Sequence, residues 1–522
     1  MRAESSSPAA TPASMRWALS LGLIGLLALV VGVAVLDHHY VGVFHDDATY
    51  VILAKSLATG QGYRYLNLPG APVATHFPPG YPALLALVWR IAPNFPANVV
   101  FFKLLNAAFL SASAMLVAQF VRERLGSDRW AAGTGVISAI SVPLLVLVTM
   151  VLSEPLFLAL LLVALLIAER CVAGTMGARR ALALGVFVGA VTLVRSHGVV
   201  LLPAIALPLL LRRRWLEAAL LAAGALSVLV PWQVWGAAQP GVLPAPLQGN
   251  YGSYAGWWLR GYRAMGPSMI GETILRTVPE ASSMLAAIFS PVRGGPARAA
   301  TLIALTALAV AGTITVRTRA PVTLLFLAGY AAIVFVWPFP PSRFVWGVWP
   351  LLLFVLAAAG WSITSPGRRW PSAARAVLAA ALLWVGVGYA AYELRAERGA
   401  WWASISRAGS RRIAPAVAWT QSHTALSDVI AADDEGAVYL YTGRRAVPVA
   451  SFTTAHYLRS RSAQLEAREG LEPLLAAYPL RAVLVGSKAT FDAADYLTKL
   501  PTPMLVLRDQ LDGGAAFTVL AK

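Results

Sequence analysis

Cysteine is almost missing from this 522-residue chain; the one residue, Cys171, allows neither an intrachain disulfide nor a cysteine metal site. Charge is scarce too. Asp, Glu, Lys and Arg make up 13% of the residues, where a soluble domain carries about 25%. Acidic residues are the scarcest, 24 against 42 Lys and Arg, which leaves a formal charge of +18. No GxxxxGKS/T loop and no glycine-rich βαβ fingerprint is present, so nothing signals ATP drive or dinucleotide binding. No two histidines have HExxH spacing, and no solenoid repeat runs through the chain. What is abundant is apolar: 58% hydrophobic residues and a mean hydropathy of +0.65. That composition excludes disorder over most of the chain and a single large soluble enzyme. It fits a polytopic α-helical membrane protein. The positive charge is then first a matter of orientation, not of a nucleic-acid surface.

Residues 1–16, rich in Ser, Ala and Pro, read as a disordered cytoplasmic tail. The run Trp17–Leu36 is long enough to span a bilayer, too long for a signal-peptide core, and lacks a small-residue cleavage site before Asp37. Further apolar runs lie near 97–121, 130–148, 153–169, 180–195, 197–211, 215–236, 299–316, 320–337, 343–361 and 372–392, giving about eleven spans within 17–392. The segment 80–92 is apolar but too short to span and reads as an interfacial helix. With this count the arginines cluster on one side: Arg2 and Arg16, Arg122 to Arg129, Arg170 to Arg180, Arg212–Arg214, Arg317 and Arg319, and Arg368 to Arg375. That is the cytoplasmic pattern. The N-terminus is therefore expected inside a bacterial cytoplasmic (inner) membrane. Three pieces project outside: loop 37–96, loop 237–298 rich in Gly, Trp and Tyr, and a tail, 393–522, of ordinary soluble composition. In the tail, strands are expected at 429–432, 482–486, 504–508 and 517–521, and helices near 409–421, 434–441, 459–478 and 488–499, a small α/β domain.

Each short outer turn carries an ionisable residue. The first loop opens Phe44-His45-Asp46-Asp47-Ala48-Thr49-Tyr50. One carboxylate suffices to cap the following helix, and the other is free to act as a general base toward a hydroxyl. Ser153-Glu154-Pro155 puts an acid at the outer end of a span, as a helix N-terminal acid or facing a cavity. Arg195-Ser196-His197-Gly198 and Pro341-Ser342-Arg343-Phe344 put arginines outside the cytoplasmic set. Such arginines want an anion, a lipid headgroup or a substrate phosphate. His197 reads as a hydrogen-bonded structural residue or a ligand. His45 beside Asp46 and Asp47 is a weak divalent-cation signal. Two or three acids and two arginines converging on one membrane face point to a site for a phosphate-bearing lipid and a nucleophile.

These motifs, in this order, resemble the GT-C membrane glycosyltransferases that use polyprenyl-phosphate-linked sugars, the group of the protein O-mannosyltransferases and the aminoarabinose transferases. The acid pair and tyrosine, Asp46-Asp47-Ala48-Thr49-Tyr50, match Asp-Glu-x-x-Tyr with Asp47 in place of Glu. Phe77-Pro78-Pro79-Gly80-Tyr81-Pro82, Glu154-Pro155, Arg195, and Arg343-Phe344 with Pro350 follow in the family's order over about 17–360. The resemblance implies a GT-C fold and an inverting transferase. It would move a sugar from a polyprenyl-phosphate donor to an envelope acceptor, whether lipid, protein or polysaccharide, with membrane lipids around it. It implies Asp46 as base, Asp47 and Glu154 as further catalytic residues, and Arg195 and Arg343 on the donor phosphate. Tyr50, His76, Tyr81 and His197 are implied as substrate contacts, and a divalent cation is left open. The rival readings are a lipid-linked-sugar flippase or transporter and a polysaccharide ligase. The odd span count, the charges at one face and the outer domain weigh against the flippase. The acid pair directly after the first span weighs against the ligase.

Overall fold

The computed structural model describes residues 12–239, 243–365 and 370–520; Arg2, Arg368, Arg369 and the tail up to residue 11 lie outside the described residues. The helix expected from Trp17 already begins at Pro12, so the last residues assigned to the tail are helical. Proline suits that position, because a first-turn N–H has no intrahelical partner to lose.

The expected apolar runs are helical, that at 343–361 as two pieces, Ser342–Trp346 and Trp349–Thr364. Six helices are long and apolar enough to cross a membrane: Ser14–Ala34, Val99–Leu125, Glu154–Ala173, Trp215–Ala238, Gly295–Val316 and Ser372–Arg398. The run 130–148 is a pair, Asp128–Ile140 and Val142–Val148, bent by 49°. Ser141 and Pro143 make the break, Pro143 in the first turn of the second piece. Shorter helices supply the other runs: Ala178–Val194, Ser196–Leu211, Pro321–Val336 and Trp349–Thr364. The protein is thus a multi-pass membrane protein. The short apolar segment 80–92, expected as a helix, is helical over Gly80–Ile91. The loop 237–298, expected only as Gly-, Trp- and Tyr-rich, is largely helical, with Tyr254–Met265 and Ser268–Phe289. The arginine-bearing ends meet: Arg124 and Arg319 each donate to the other's carbonyl, and Arg170 pairs with Glu123.

With little hydrophobic drive between helices in lipid, close backbone approach matters more. Ala178–Val194 and Trp215–Ala238 touch through Gly185 and Gly224. A Cβ on Gly185 would collide with the Leu221 carbonyl oxygen, and one on Gly224 with the Leu182 carbonyl oxygen.

After Ser404–His423 the chain forms a five-stranded sheet of β1 (Val429–Ala432), β2 (Arg445–Pro448), β3 (Leu480–Val485), β4 (Leu505–Leu511) and β5 (Gly514–Val519). The order is β2-β1-β3-β5-β4; β2, β1 and β3 are parallel, and β5 runs antiparallel to both β3 and β4. Strand β2 was not expected from the sequence. It is a short edge strand ending on Pro448, a residue that only an edge tolerates.

This domain is bound to the loop that follows the first long helix. The Tyr40 N–H donates to Ser410 Oγ (2.8 Å), the Val41 N–H to the Tyr441 hydroxyl (3.1 Å), and the Ala446 N–H to the Asn67 carbonyl (2.8 Å). Gly42, at φ +114°, lies against Ala437, where a side chain would clash.

Gly185→Val is expected to destabilise the protein by about 1–3 kcal/mol through overpacking. Gly133→Ala, at a helical position open to its surroundings, should be neutral or slightly stabilising. Thermal unfolding in detergent distinguishes the two; equal midpoints would contradict the packing account.

Candidate active site

The first loop builds one wall. Asp47 is buried and accepts three backbone N–H groups of the preceding turn: Gly42 at 2.8 Å, Val43 at 3.2 Å and Phe44 at 3.0 Å. Both its oxygens are used to fix that turn. His45 follows the turn at φ 60°, a left-handed conformation costly for a residue with a Cβ. The turn and this residue start the helix Asp46–Ala58 with the Asp46 carboxylate toward the membrane helices. Neither aspartate is the residue before the helix; that position is His45, whose side chain makes no capping bond.

Asp46 Oδ2 accepts from Arg343 Nη1 at 2.7 Å. The same guanidinium pairs with Glu154 through Nε and through Nη2 at 3.3 Å. Glu154, 1% exposed at the first turn of its span, also holds Arg195, whose Nη1 lies 3.1 Å from its Oε1 and 3.3 Å from Ser153 Oγ. Ser153 in turn bonds the Tyr50 hydroxyl (3.1 Å). Asp46, Glu154, Arg195, Arg343 and Tyr50 therefore form one connected cluster. Arg195 Nε is buried without a hydrogen-bond partner among the described residues. The rings of Phe344 and Phe44 lie 5.6 Å from Arg195 and 5.4 Å from Arg343, and desolvate the two guanidiniums.

Above this cluster is a cavity of about 700 Å³. Phe44, His45, Asp46, Tyr50 and His76 line it from the first loop, Arg195, His197, Arg343 and Phe344 from the membrane helices, and Tyr254 and Trp257 from the second large loop. The remaining wall is the C-terminal domain, with Arg412, Asp433, Asp434, Glu435, Phe452 and Tyr457.

His76 contacts the Gly252 carbonyl and lies 3.7 Å, ring to ring, from Tyr254; burial holds its pKa down at about 4. His197 packs between the rings of Tyr330 and Phe344. Tyr81 is not brought to the cavity. It is fully buried, and its hydroxyl donates to Asn106 (3.1 Å), which bonds the Met150 carbonyl in turn. Among the described residues no group of three or more His, Cys, Asp or Glu converges on a common point. The His45, Asp46 and Asp47 side chains turn to different partners, so the cation site suggested by their adjacency does not form there.

The sequence reading missed the C-terminal wall. Glu435, 1% exposed, receives His45 Nδ1 at 3.1 Å and the Tyr251 hydroxyl at 2.7 Å. The run Asp433-Asp434-Glu435 at the exit of β1 is the signal that could have found it, although such a run equally describes a solvated loop. Asp433 Oδ2 instead accepts from the Gly486 N–H (2.7 Å), the Ser487 N–H (3.0 Å) and Thr490 Oγ1 (2.6 Å), and burial raises its pKa to about 6. Asp434 is held by Arg412.

The electrostatics follow from this geometry. Burial pushes Asp46 up, but Arg343, His45 and Arg195 outweigh it and hold the carboxyl below its ordinary range. Burial alone would lower His45; the Glu435 carboxylate, by charge and hydrogen bond, and Asp46 and Asp47 raise it to about 9. His45 is thus an imidazolium at neutral pH.

No family model matches the sequence, and no curated protein matches it. Similarity appears among solved structures. ArnT from Cupriavidus metallidurans bound to undecaprenyl phosphate aligns at TM-score 0.58 and 14% identity, over 97% of this chain and 99% of that one. The archaeal oligosaccharyltransferase AglB from Archaeoglobus fulgidus, in complex with an inhibitory peptide and a dolichol-phosphate, aligns at TM-score 0.54 and 10% identity, over 91% of this chain and 70% of that one. The A. fulgidus oligosaccharyltransferase with Zn and sulfate aligns at TM-score 0.52 and 12% identity, over 89% and 68%.

The His45–Glu435 pair makes stability depend on pH. A pKa raised from 6.5 to about 9 adds stability that is complete below the unfolded value and is lost as pH rises through the folded one. Wild-type thermal midpoints are therefore expected to fall between about pH 6.5 and 9. His45→Gln should flatten that fall; an unchanged fall in the variant would contradict the pairing. At these identities the structural likeness speaks for architecture alone, and the chain has the GT-C fold: a helical membrane domain with a small α/β domain after it.

Proposed function

We propose that the protein is an inverting glycosyltransferase of the bacterial cytoplasmic membrane. It takes a sugar from a polyprenyl-phosphate donor and passes it to an envelope acceptor on the outer face. The observation that carries this reading is the cluster beneath the cavity, two carboxylates linked through two largely buried arginines, on the fold of proteins crystallised with undecaprenyl phosphate and dolichol-phosphate. The N-terminus and the arginine-bearing helix ends lie inside, and the C-terminal domain outside. Nucleotide sugars are not found there, so a lipid-borne donor supplies the activated sugar.

Arg195 and Arg343 hold the donor phosphate. Asp46 accepts the proton of the acceptor as that group attacks the anomeric carbon. The new bond forms on the face opposite the phosphate, the sugar–phosphate C–O bond breaks, and its electron pair leaves on the phosphate oxygen. The arginines stabilise that growing charge. In the free site Arg343 keeps Asp46 a weak base. A phosphate that draws Arg343 toward itself loosens this pair, lets the Asp46 pKa rise, and so couples base strength to donor binding. Glu154 holds the two arginines in register, Asp47 fixes the turn that aims Asp46, and Tyr50, His76 and His197 line the substrate space.

In a deletion strain, comparative mass spectrometry of envelope lipids and glycans should reveal one component missing a sugar. Wild-type protein should restore it. Asp46→Asn, expressed at equal level, should lose about 10²–10⁴ of the transfer rate. Full activity in Asp46→Asn would remove Asp46 as the base, and an unchanged envelope in the deletion strain would remove the transferase reading.

A further inference from the structure

Two tyrosines line the cavity with hydroxyls that have no hydrogen-bond partner among the described residues. Tyr254 comes from the second large loop and Tyr457 from the C-terminal domain. Neither hydroxyl is sealed from solvent in the way His45 Nε2 is. Their rings, by contrast, are held. Tyr254 lies 3.7 Å from the His76 ring and 5.8 Å from the nearer ring of Trp337, centroid to centroid. Tyr457 meets Phe339 edge-on at 4.7 Å and Trp257 at 6.2 Å, and its carbonyl accepts from Arg276. Trp257 and Phe339 stack on each other at 5.3 Å. Packing therefore fixes both tyrosines and leaves the donor and acceptor capacity of their hydroxyls unused. Burial, and after it the Asp46 charge, push both phenols above their ordinary pKa, so they are neutral groups near the proposed base.

The charged groups on the same walls are all committed. Arg343 holds Asp46, Arg195 holds Glu154, and Arg412 holds Asp434 through two nitrogens. His45 is paired with Glu435, and Asp433 accepts from two backbone N–H groups and Thr490. In the proposed reaction the donor phosphate takes the two cluster arginines, and Asp46 is left to take a proton. An ammonium in this space would find Asp46 as its one uncommitted carboxylate, and pairing with it would remove the base. A carboxylate would find two arginines taken by phosphate and the third by Asp434.

We infer that the transferred sugar is uncharged, a hexose, pentose or N-acetylated sugar with free hydroxyls, and that Tyr254 and Tyr457 hydrogen-bond it against the aromatic wall. The inference rests on the glycosyl-transfer reading and names the substrate class of that site. With its phosphate on Arg195 and Arg343, the donor's sugar has to occupy the cavity that these arginines line. A sugar ring carries C–H groups on its faces and hydroxyls on its rim. Aromatic rings such as Trp337 and Phe339 suit the faces, and phenols, which both donate and accept, suit the rim. A polyprenyl chain would suit the rings equally well. It would leave both phenol hydroxyls without a bond once water is displaced, which is costly. The tyrosines are thus specificity-determining residues, and through Tyr457 the C-terminal domain takes part in recognising the sugar.

The test begins with the sugar found missing from the envelope of the deletion strain. It is expected to be neutral; a sugar with a free amine or a carboxylate overturns the inference. Two probes are then titrated against purified full-length wild type, Tyr254→Phe and Tyr457→Phe: undecaprenyl phosphate, and undecaprenyl phosphate carrying that sugar. Phenylalanine keeps each ring in its packing and removes the hydroxyl alone. All three proteins are expected to bind bare undecaprenyl phosphate within two-fold of one another, which also shows that the variants are folded. The sugar-bearing donor should bind about five-fold more weakly to each variant, the loss of one ordinary hydrogen bond. Donor affinity within two-fold of wild type in either variant overturns the inference. So does a variant that loses both ligands alike, since its tyrosine then acts through packing instead of through the sugar. If the deletion strain lacks no sugar, the underlying transferase reading fails instead, and the two failures are told apart.

Discussion

One guanidinium organises this molecule. Arg343 is shared between Asp46, on a helix of the first loop, and Glu154, at the first turn of a membrane span. Glu154 is 1% exposed, and a single buried carboxylate at a bilayer edge would be costly. Two arginines and two carboxylates linked in a row nearly neutralise each other, so the cluster can be buried without leaving a bare charge. The same neutrality makes it responsive. In the proposed reaction an incoming phosphate adds negative charge and competes for the arginines, and what it releases is Asp46, the proposed base. The Pro-rich turn 337–341 fixes where Arg343 enters, and Pro155 fixes the first turn behind Glu154. Three helix ends thus carry Glu154, Arg195 and Arg343, and the loop helix brings Asp46.

The C-terminal domain belongs to this arrangement. A chain of hydrogen bonds runs from Asn67 through Tyr251 and Glu435 to His45, joining first loop, second loop and sheet domain around one imidazole. Trp257 adds to it by donating to the Phe452 carbonyl (2.8 Å), as does Asn250 Nδ2 to the Ala450 carbonyl (3.2 Å). The cavity is closed above by residues of this domain, so the membrane part alone presents an open cluster. A ligand entering the cavity touches three segments that are far apart in sequence, which lets docking of the domain and the charge state of the site influence each other.

Much of this was legible in the sequence, for physical reasons. Long apolar runs have one cheap solution in lipid, a helix. Asp46, Glu154, Arg195 and Arg343 stood out because an ionisable residue at a span entrance needs a partner; the structure supplies those partners within the protein. Asp47 looked equivalent to Asp46, since both are aspartates in one turn. Backbone geometry separates them, giving Asp47 three amide donors and Asp46 an arginine. Tyr81 lay in a matching motif but is sealed against Asn106, a contact no local pattern reveals. Glu435 lies 390 residues from His45, and its burial depends on how a sheet domain seats on a loop. Strand β2 escaped because an edge strand of four residues ending on Pro448 carries almost no periodic signal.

The central claim is that the arginine pair takes a polyprenyl phosphate in place of Asp46. It is tested most directly by measuring undecaprenyl phosphate binding to the purified full-length protein by native mass spectrometry or equilibrium titration, for wild type, Arg343→Ala and Asp46→Asn. The account predicts that wild type binds, that Arg343→Ala weakens binding ten-fold or more, and that Asp46→Asn, which removes the competing carboxylate, binds as tightly or more tightly. Equal binding by wild type and Arg343→Ala, or loss of binding in a folded Asp46→Asn, would contradict it.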